Sequence, residues 1–350
     1  MQTKENIQNI APYTAGVLKA GALKLASNEN PLGPAPRALA VIRQNLDKLS
    51  LYPDGGCRAL KAALAGHYGK TPESFLPGNG SDELFHFITG AFIRGGDRML
   101  TSEVTFSEYT FATRLFAGLP EYAPLQDGKF HLAEIAGRIT DKTRLIFLAN
   151  PNNPTGTYFG AAEFAVFMQQ VPEDVMVVID EAYAEYVTAP DYPDSIRLLD
   201  DYKNLILTRT FSKIYGLAGL RIGYAVAAPE VIAYLNKTRE PFNVNTLAQL
   251  AAAAALADTE FVQRSRENNE AGKKYLYAEF ARLGLKYYPT QANFIFVYIQ
   301  QDCLAAFQKL MELGVTVRPL QSFGVPDAIR VTIGTPEQNQ KFIQALQEIL

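Results

Sequence analysis

Lys213 closes the apolar run of "LILTRTFSK", with Thr210 and Ser212 beside it and Arg221 eight residues on. An ammonium at the edge of apolar strands is costly unless it is paired or at work, and the work an amine does is nucleophilic attack or proton carriage. Three other apolar runs stop on polar residues. "PGNGSDELF" sets Gly78 and Gly80 before Ser81 and Asp82, at the start of a predicted helix. Free N–H groups and the positive end of a helix dipole can hold a phosphate there, and glycine lets the backbone approach closely. Ser81 taken alone serves equally well as a plain N-cap, and the G-K-S/T ending of a nucleotide loop is missing. "ANPNNPTG" combines two prolines, three asparagines and a glycine in a rigid turn presenting amides, much of which turn chemistry explains. "MVVIDEAY" ends on Asp180 with Tyr183 close behind; a structural ion pair is the ordinary account of such a carboxylate.

Together these stops supply a phosphate cradle, an amide and a phenol, a carboxylate and an amine, which is the set pyridoxal phosphate needs. The amine takes the cofactor aldehyde, the carboxylate keeps the ring nitrogen protonated, and N–H groups, hydroxyls and an arginine anchor the phosphate. An amine so engaged no longer carries the cost of a bare ammonium.

The elements that must position these residues are legible in outline. Short β-branched runs near 98–102, 122–125, 144–149, 176–180, 205–210 and 221–227 alternate with amphipathic stretches at 36–46, 58–68, 81–94 and 161–169. That alternation predicts crossover units and a largely parallel α/β sheet, with ligands at the carboxyl ends of its strands. After "PFNVN" the pattern changes to a long helix-prone segment from Thr246, then "ANFIFVYI", "LGVTVRP", "IRVTIGT" and a last helix near 336–350. The expected organisation is an N-terminal arm (1–25), a large domain (26–243) and a smaller α+β domain (244–350).

Composition agrees with a metabolic enzyme. Apolar residues form 48% and charged residues 20% of the 350, the net charge is −3, and no basic block suggests nucleic acid or an anionic membrane. Cys57 and Cys303 lie too far apart for a metal-ligand spacing, and the scattered His67, His86 and His131 read as ordinary core or surface residues, so no metal is expected. No run of ~18 apolar residues and no signal-peptide core is present, and a reducing cytoplasm fits.

In their order and spacing, "LASNENPLGP", "YPDGG", "GNGSDE", "NPNNPTG", "IDEAY", "RTFSK", "GLAGLRIGYA", "PFNVN", "ANFIFV", "VRP" and "RVTIGT" resemble the pyridoxal-phosphate enzymes of the aspartate-aminotransferase-like fold, and within them the histidinol-phosphate aminotransferase family. The match runs nearly end to end. It implies fold type I, with a mostly parallel seven-stranded sheet covered by helices and a smaller α+β C-terminal domain. It implies that Lys213 holds the cofactor, Asp180 pairs with the ring nitrogen, and Asn153 and Tyr183 bond the ring oxygen. Gly80, Ser81, Asp82, Thr210, Ser212 and Arg221 would surround the cofactor phosphate, while Tyr52 would reach the phosphate of a neighbouring subunit, making an obligate homodimer with shared sites. Phe106 stands in "VTFSEY" where many relatives stack a tyrosine on the cofactor; stacking needs only the ring face. Arg330 resembles the arginine that takes the substrate carboxylate across the fold. Arg318 and Tyr13 would add donors for the phosphate of histidinol phosphate, although Arg318 taken alone is equally well a solvated strand end.

The implied reaction is a ping-pong exchange between histidinol phosphate and imidazole-acetol phosphate on one side and glutamate and 2-oxoglutarate on the other. An aromatic amino-acid aminotransferase and a threonine-phosphate decarboxylase would use the same cofactor machinery. A non-catalytic regulator that senses pyridoxal phosphate would need an appended basic helical segment, which is expected neither before Ala26 nor after the last helix. A nicotinamide dehydrogenase lacks its full G-x-G-x-x-G at "GNGSDE" and leaves the lysine without a task.

Overall fold

The computed structural model describes residues 2–12 and 19–350. Seven strands form the main sheet in the order Phe75–Gly78, Gly223–Ala227, Leu205–Thr210, Met176–Asp180, Thr143–Ala149, Arg98–Ser102, Leu119–Ala123. Only Gly223–Ala227 runs against its neighbours; the other pairings are parallel. The fold is therefore the expected α/β one. Met176–Asp180 and Gly223–Ala227 are buried from end to end, which is why these strands read as continuous apolar runs and not as alternating ones.

This topology brings the polar stops together. The parallel strands end at Ala149, Asp180 and Thr210, and the antiparallel strand begins on the same edge, Gly223 lying opposite both Thr210 and Gly78. "GNGSDE", "NPNNPTG", "IDEAY", "RTFSK" and Arg221 thus share one rim, although they are scattered through the sequence.

A second core gathers Leu276, Phe280, Ile295, Val297, Phe342 and Leu346 around the antiparallel strands Phe294–Tyr298, Ala328–Thr332 and Arg318–Pro319. Its last helix, Pro336–Ile349, starts with a capping box in which Thr335 and Gln338 satisfy each other's backbone N–H groups. Leu23–Lys24 pairs with Val315–Thr316, so the residues just before Ala26 belong to this unit. The helix Thr246–Leu256, expected to open the small domain, buries Ala248, Ala251, Ala252 and Ala255 in the large core, and Phe261 still lies there. We propose that the division falls inside the following helix, Thr259–Arg282, whose Leu276 is the first of its residues in the second core.

Several boundaries differ from expectation for local reasons. The helix expected over 36–46 stops at Arg43 and that over 81–94 at Phe92, because Ile93 is extended ahead of Gly95 and Gly96. The strand expected over 122–125 starts at Leu119, whose pairing with Arg98 is a tertiary effect. Arg221, expected to open a strand, is instead a left-handed residue (φ 52°) just before Gly223. The helix-prone segment from Thr246 breaks before Asp258, whose carboxylate accepts from the Arg37 N–H at 3.1 Å. Strand Phe75–Gly78 is short and contains Pro77, which an edge position tolerates.

Candidate functional site

A hollow of about 710 Å³ opens at the shared rim. Of the residues singled out from the sequence, Ser81, Asp82, Phe106, Asn153, Asp180, Tyr183, Thr210, Ser212, Lys213, Arg221, Arg318 and Arg330 all line it. Gly80 adjoins it as the N-cap of the helix Ser81–Phe92. Tyr52 does not line it; the ring is 84% exposed and stacks on Phe242 at 4.9 Å. Tyr13 lies outside the described residues.

At one end of the hollow the parts form an anion cradle. The helix Ser81–Phe92 points its N-terminus inward, and the Thr210 and Ser212 side chains lie alongside. Gly80 has φ 87°, and a Cβ there would stand 2.6 Å from Nη2 of Arg221, so the close approach of guanidinium and backbone requires glycine. Arg221 meets Asp82 at 3.3 Å, but both side chains are about half exposed (45% and 42%), a pairing weak enough to yield to a stronger anion.

At the floor Asp180 is buried, and burial pushes its carboxyl up to about 6 despite hydrogen bonds that favour the charge. Tyr109 Oη donates to Oδ2 at 2.6 Å and Thr208 Oγ1 to Oδ1 at 3.3 Å. Lys213 Nζ donates to the Ser27 carbonyl at 3.1 Å and lies 5.8 Å from the centre of the Tyr183 ring. Burial first, then the Arg330 charge, lowers its amine to about 8. Tyr183 Oη accepts from Asn28 Nδ2 at 2.9 Å. A carboxylate that needs a cation and an amine that readily sheds its proton thus share one hollow, and perturbed groups of this kind mark reaction sites.

Arg318 and Arg330 stand opposite each other on neighbouring antiparallel strands. Arg330 is buried (7% exposed), donates to Asn153 Oδ1 and to the Ala26 carbonyl at 2.7 Å, and its Nε has no partner. Burial and then the neighbouring Arg318 lower its guanidinium to about 10. Among the described residues Arg318 donates one long hydrogen bond, to Ser322 Oγ at 3.4 Å, and lies over the Phe323 ring. Among the described residues neither arginine has a carboxylate partner, so the pair is set to receive an anion of high charge.

Sequence reasoning gave no role to Tyr109, Thr208, Asn28 or the carbonyls of Ala26 and Ser27. Asn28 and Ser27 lie in "LASNENPLGP", but nothing in the sequence says which group they meet. Glu108 lines both this hollow and an adjoining one of about 730 Å³ that also takes in Arg318 and Phe323. Burial, with the nearby Asp82, raises its carboxyl.

The fold and the rim define an aminotransferase: the chain belongs to the family "Aminotransferase class I and II", whose model matches residues 20–346. Within it the chain belongs with the histidinol-phosphate aminotransferases. It is 50% identical to that of Moorella thermoacetica over 99% of this chain and 92% of the relative, and 43% identical to that of Caldicellulosiruptor saccharolyticus over 99% of each. The crystal structure of the Sinorhizobium meliloti histidinol-phosphate aminotransferase, solved with pyridoxal-5'-phosphate, superposes with a TM-score of 0.91 over 100% of this chain and 98% of that one, at 27% identity. Aspartate aminotransferase from Thermus thermophilus with maleate shares the fold at 21% identity and a TM-score of 0.85, each chain covered in full.

Among the described residues no helix is long and apolar enough to cross a membrane, and no cluster of metal-ligating side chains occurs.

Proposed function

We propose that the protein is a pyridoxal-phosphate-dependent aminotransferase of histidine biosynthesis that exchanges the amino group between histidinol phosphate and glutamate through their keto counterparts. The observation that carries the substrate reading is the opposed pair Arg318 and Arg330, two guanidiniums that have no carboxylate partner among the described residues. A phosphate monoester has the charge and the acceptor oxygens to satisfy both, whereas a carboxylate satisfies one.

The donor set fits the cofactor, the Gly80 contact with Arg221 above all. Bound pyridoxal phosphate supplies a protonated ring that takes up the electrons released at the substrate carbon. Lys213 would hold it through its amine, and the same Nζ would be the group in the hollow that takes up and returns a proton. Asp180 keeps the ring nitrogen charged, Asn153 and Tyr183 hold the ring oxygen, and Phe106 covers the ring face. Gly80, Ser81 and Asp82 with Thr210, Ser212 and Arg221 hold the phosphate. Tyr13 is assigned as a further substrate donor.

The test is spectroscopic. The purified protein should show a visible cofactor band that bleaches with glutamate and returns with imidazole-acetol phosphate. A band that bleaches equally well with phenylalanine would favour an aromatic aminotransferase, and release of carbon dioxide from threonine phosphate would favour the decarboxylase.

The two arginines should be separable by substrate. If Arg330 serves both anions and Arg318 mainly the phosphate, Arg318→Ala should slow the half-reaction with histidinol phosphate about tenfold to a hundredfold more than that with glutamate, the worth of one charge-assisted hydrogen bond. Arg330→Ala should damage both. Single-turnover kinetics through the cofactor spectrum measure this, and equal losses in Arg318→Ala would remove that residue as the phosphate reader.

We also assign a homodimer. Leu46, Leu49, Leu51, Tyr52 and Phe242 are all exposed, and Tyr52 has no task in its own hollow. Mixing inactive Tyr52→Ala and Lys213→Ala subunits should restore partial activity, because one of the two sites in a mixed dimer then has both residues. Mixed dimers that stay inactive would show that Tyr52 does not act across an interface. Cys57 and Cys303 are unpaired and buried, in keeping with a cytoplasmic enzyme.

A further inference from the structure

We propose that Tyr109 is a positioning residue for the cofactor ring, fixing the Asp180 carboxylate through its hydroxyl and the Phe106 ring through its edge. The inference rests on the cofactor assignment above and concerns a residue that never touches the hollow. Tyr109 is fully buried and lies flat on Phe147, ring centres 4.8 Å apart and planes 2° from parallel. Phe85 meets it edge-on at 5.0 Å. One stacked and one perpendicular neighbour hold the phenol, and in that position Oη donates to Asp180 Oδ2 at 2.6 Å. The same ring meets Phe106 at 5.8 Å in a perpendicular arrangement.

The consequences follow from the donor inventory. A buried carboxylate facing an apolar sheet favours the protonated form, and a protonated carboxyl cannot hold a ring nitrogen in its charged state. Two side-chain donors, Tyr109 on Oδ2 and Thr208 on Oδ1, hold the group as an acceptor at the floor of the hollow that Asp180 lines. Because a phenol gives a shorter and stronger bond to a charged oxygen than to a neutral one, the hydroxyl of Tyr109 contributes most when Asp180 is ionised beside a cationic ring. Packing alone would be served equally well by phenylalanine. Among the described residues the hydroxyl of Tyr109 has Asp180 as its one hydrogen-bond partner.

The experiment separates the hydroxyl from the ring. Cofactor affinity of the apoprotein is measured by fluorescence titration for the unaltered protein, Tyr109→Phe, Asp180→Asn and the double variant. Tyr109→Phe should weaken binding about tenfold to a hundredfold on its own and change little in the Asp180→Asn background. The ring-nitrogen resonance of ¹⁵N-labelled pyridoxal phosphate should move toward the neutral pyridine position in Tyr109→Phe, a readout that packing does not touch. Equal losses in both backgrounds, or an unmoved resonance, would overturn the proposal. Failure of the unaltered protein to bind the cofactor would overturn the functional reading itself, whereas normal binding without coupling overturns only the role of Tyr109.

Discussion

Lys213→Ala is expected to retain pyridoxal phosphate through the phosphate cradle and to lose turnover by about 10⁴-fold, the upper range for removal of a positioned proton carrier. Among the described residues no other lysine lines the hollow, so no second amine stands ready to take over the proton. The surroundings of this amine raise its neutral fraction near neutral pH. Burial, reinforced by Arg330, sets it at about 8, so about one amine in ten is neutral at pH 7, whereas an ordinary lysine near 10.4 is neutral less than about one time in a thousand. The free base is the form that reacts, and it is favoured as pH rises through about 8. Loading of the apoprotein with cofactor should therefore quicken between pH 7 and about 9 in the unaltered protein, and in Lys213→Ala the retained cofactor should keep the spectrum of its free aldehyde at every pH. Stopped-flow absorbance gives the first and steady-state kinetics the loss of turnover. A variant within tenfold of the unaltered rate would remove Lys213 from the mechanism.

How much of this was readable beforehand depends on whether a residue speaks through its neighbours in sequence or through its neighbours in space. The strands Met176–Asp180 and Leu205–Thr210 were legible because strands buried on both faces are uninterrupted apolar runs, and the residues on which they stop line the hollow. Phe75–Gly78 was missed because a four-residue edge strand containing proline has neither length nor alternation. The helix Thr246–Leu256, expected to open the small domain, packs in the large core: its alanine-rich face is suited to either core, and only packing decides. Tyr109 was invisible as a site residue for a related reason. A tyrosine in the first turn of an amphipathic helix reads as core, and nothing local reveals that its hydroxyl ends 2.6 Å from a carboxylate 71 residues away. The unpaired state of Arg318 and Arg330 is likewise a statement about absent partners, which spacing does not give.

Asp180→Ala is expected to lower turnover by about 10³-fold, the upper range for loss of one preorganised charge that stabilises a developing one. The same carboxylate should weaken the apoprotein, and the two effects together test its role. Its proton is held more tightly in the fold than in the unfolded chain, since burial raises it to about 6. The group's contribution to stability is therefore present below its unfolded value near 4 and is lost as pH rises through about 6, amounting to ~3 kcal/mol by neutral pH. Asp180→Asn removes the charge and keeps an acceptor for only one of Tyr109 and Thr208, whose hydroxyls meet different oxygens of Asp180. It should melt above the unaltered apoprotein at pH 7 to 8, with the gap closing toward pH 4. Adding pyridoxal phosphate should reverse the order, because the cationic ring repays the buried charge only where a carboxylate is present. Calorimetry of both apoproteins and both loaded proteins across this range decides the matter. A stability difference that ignores pH, or a variant stabilised by cofactor as strongly as the unaltered protein, would mean that Asp180 does not face the ring nitrogen.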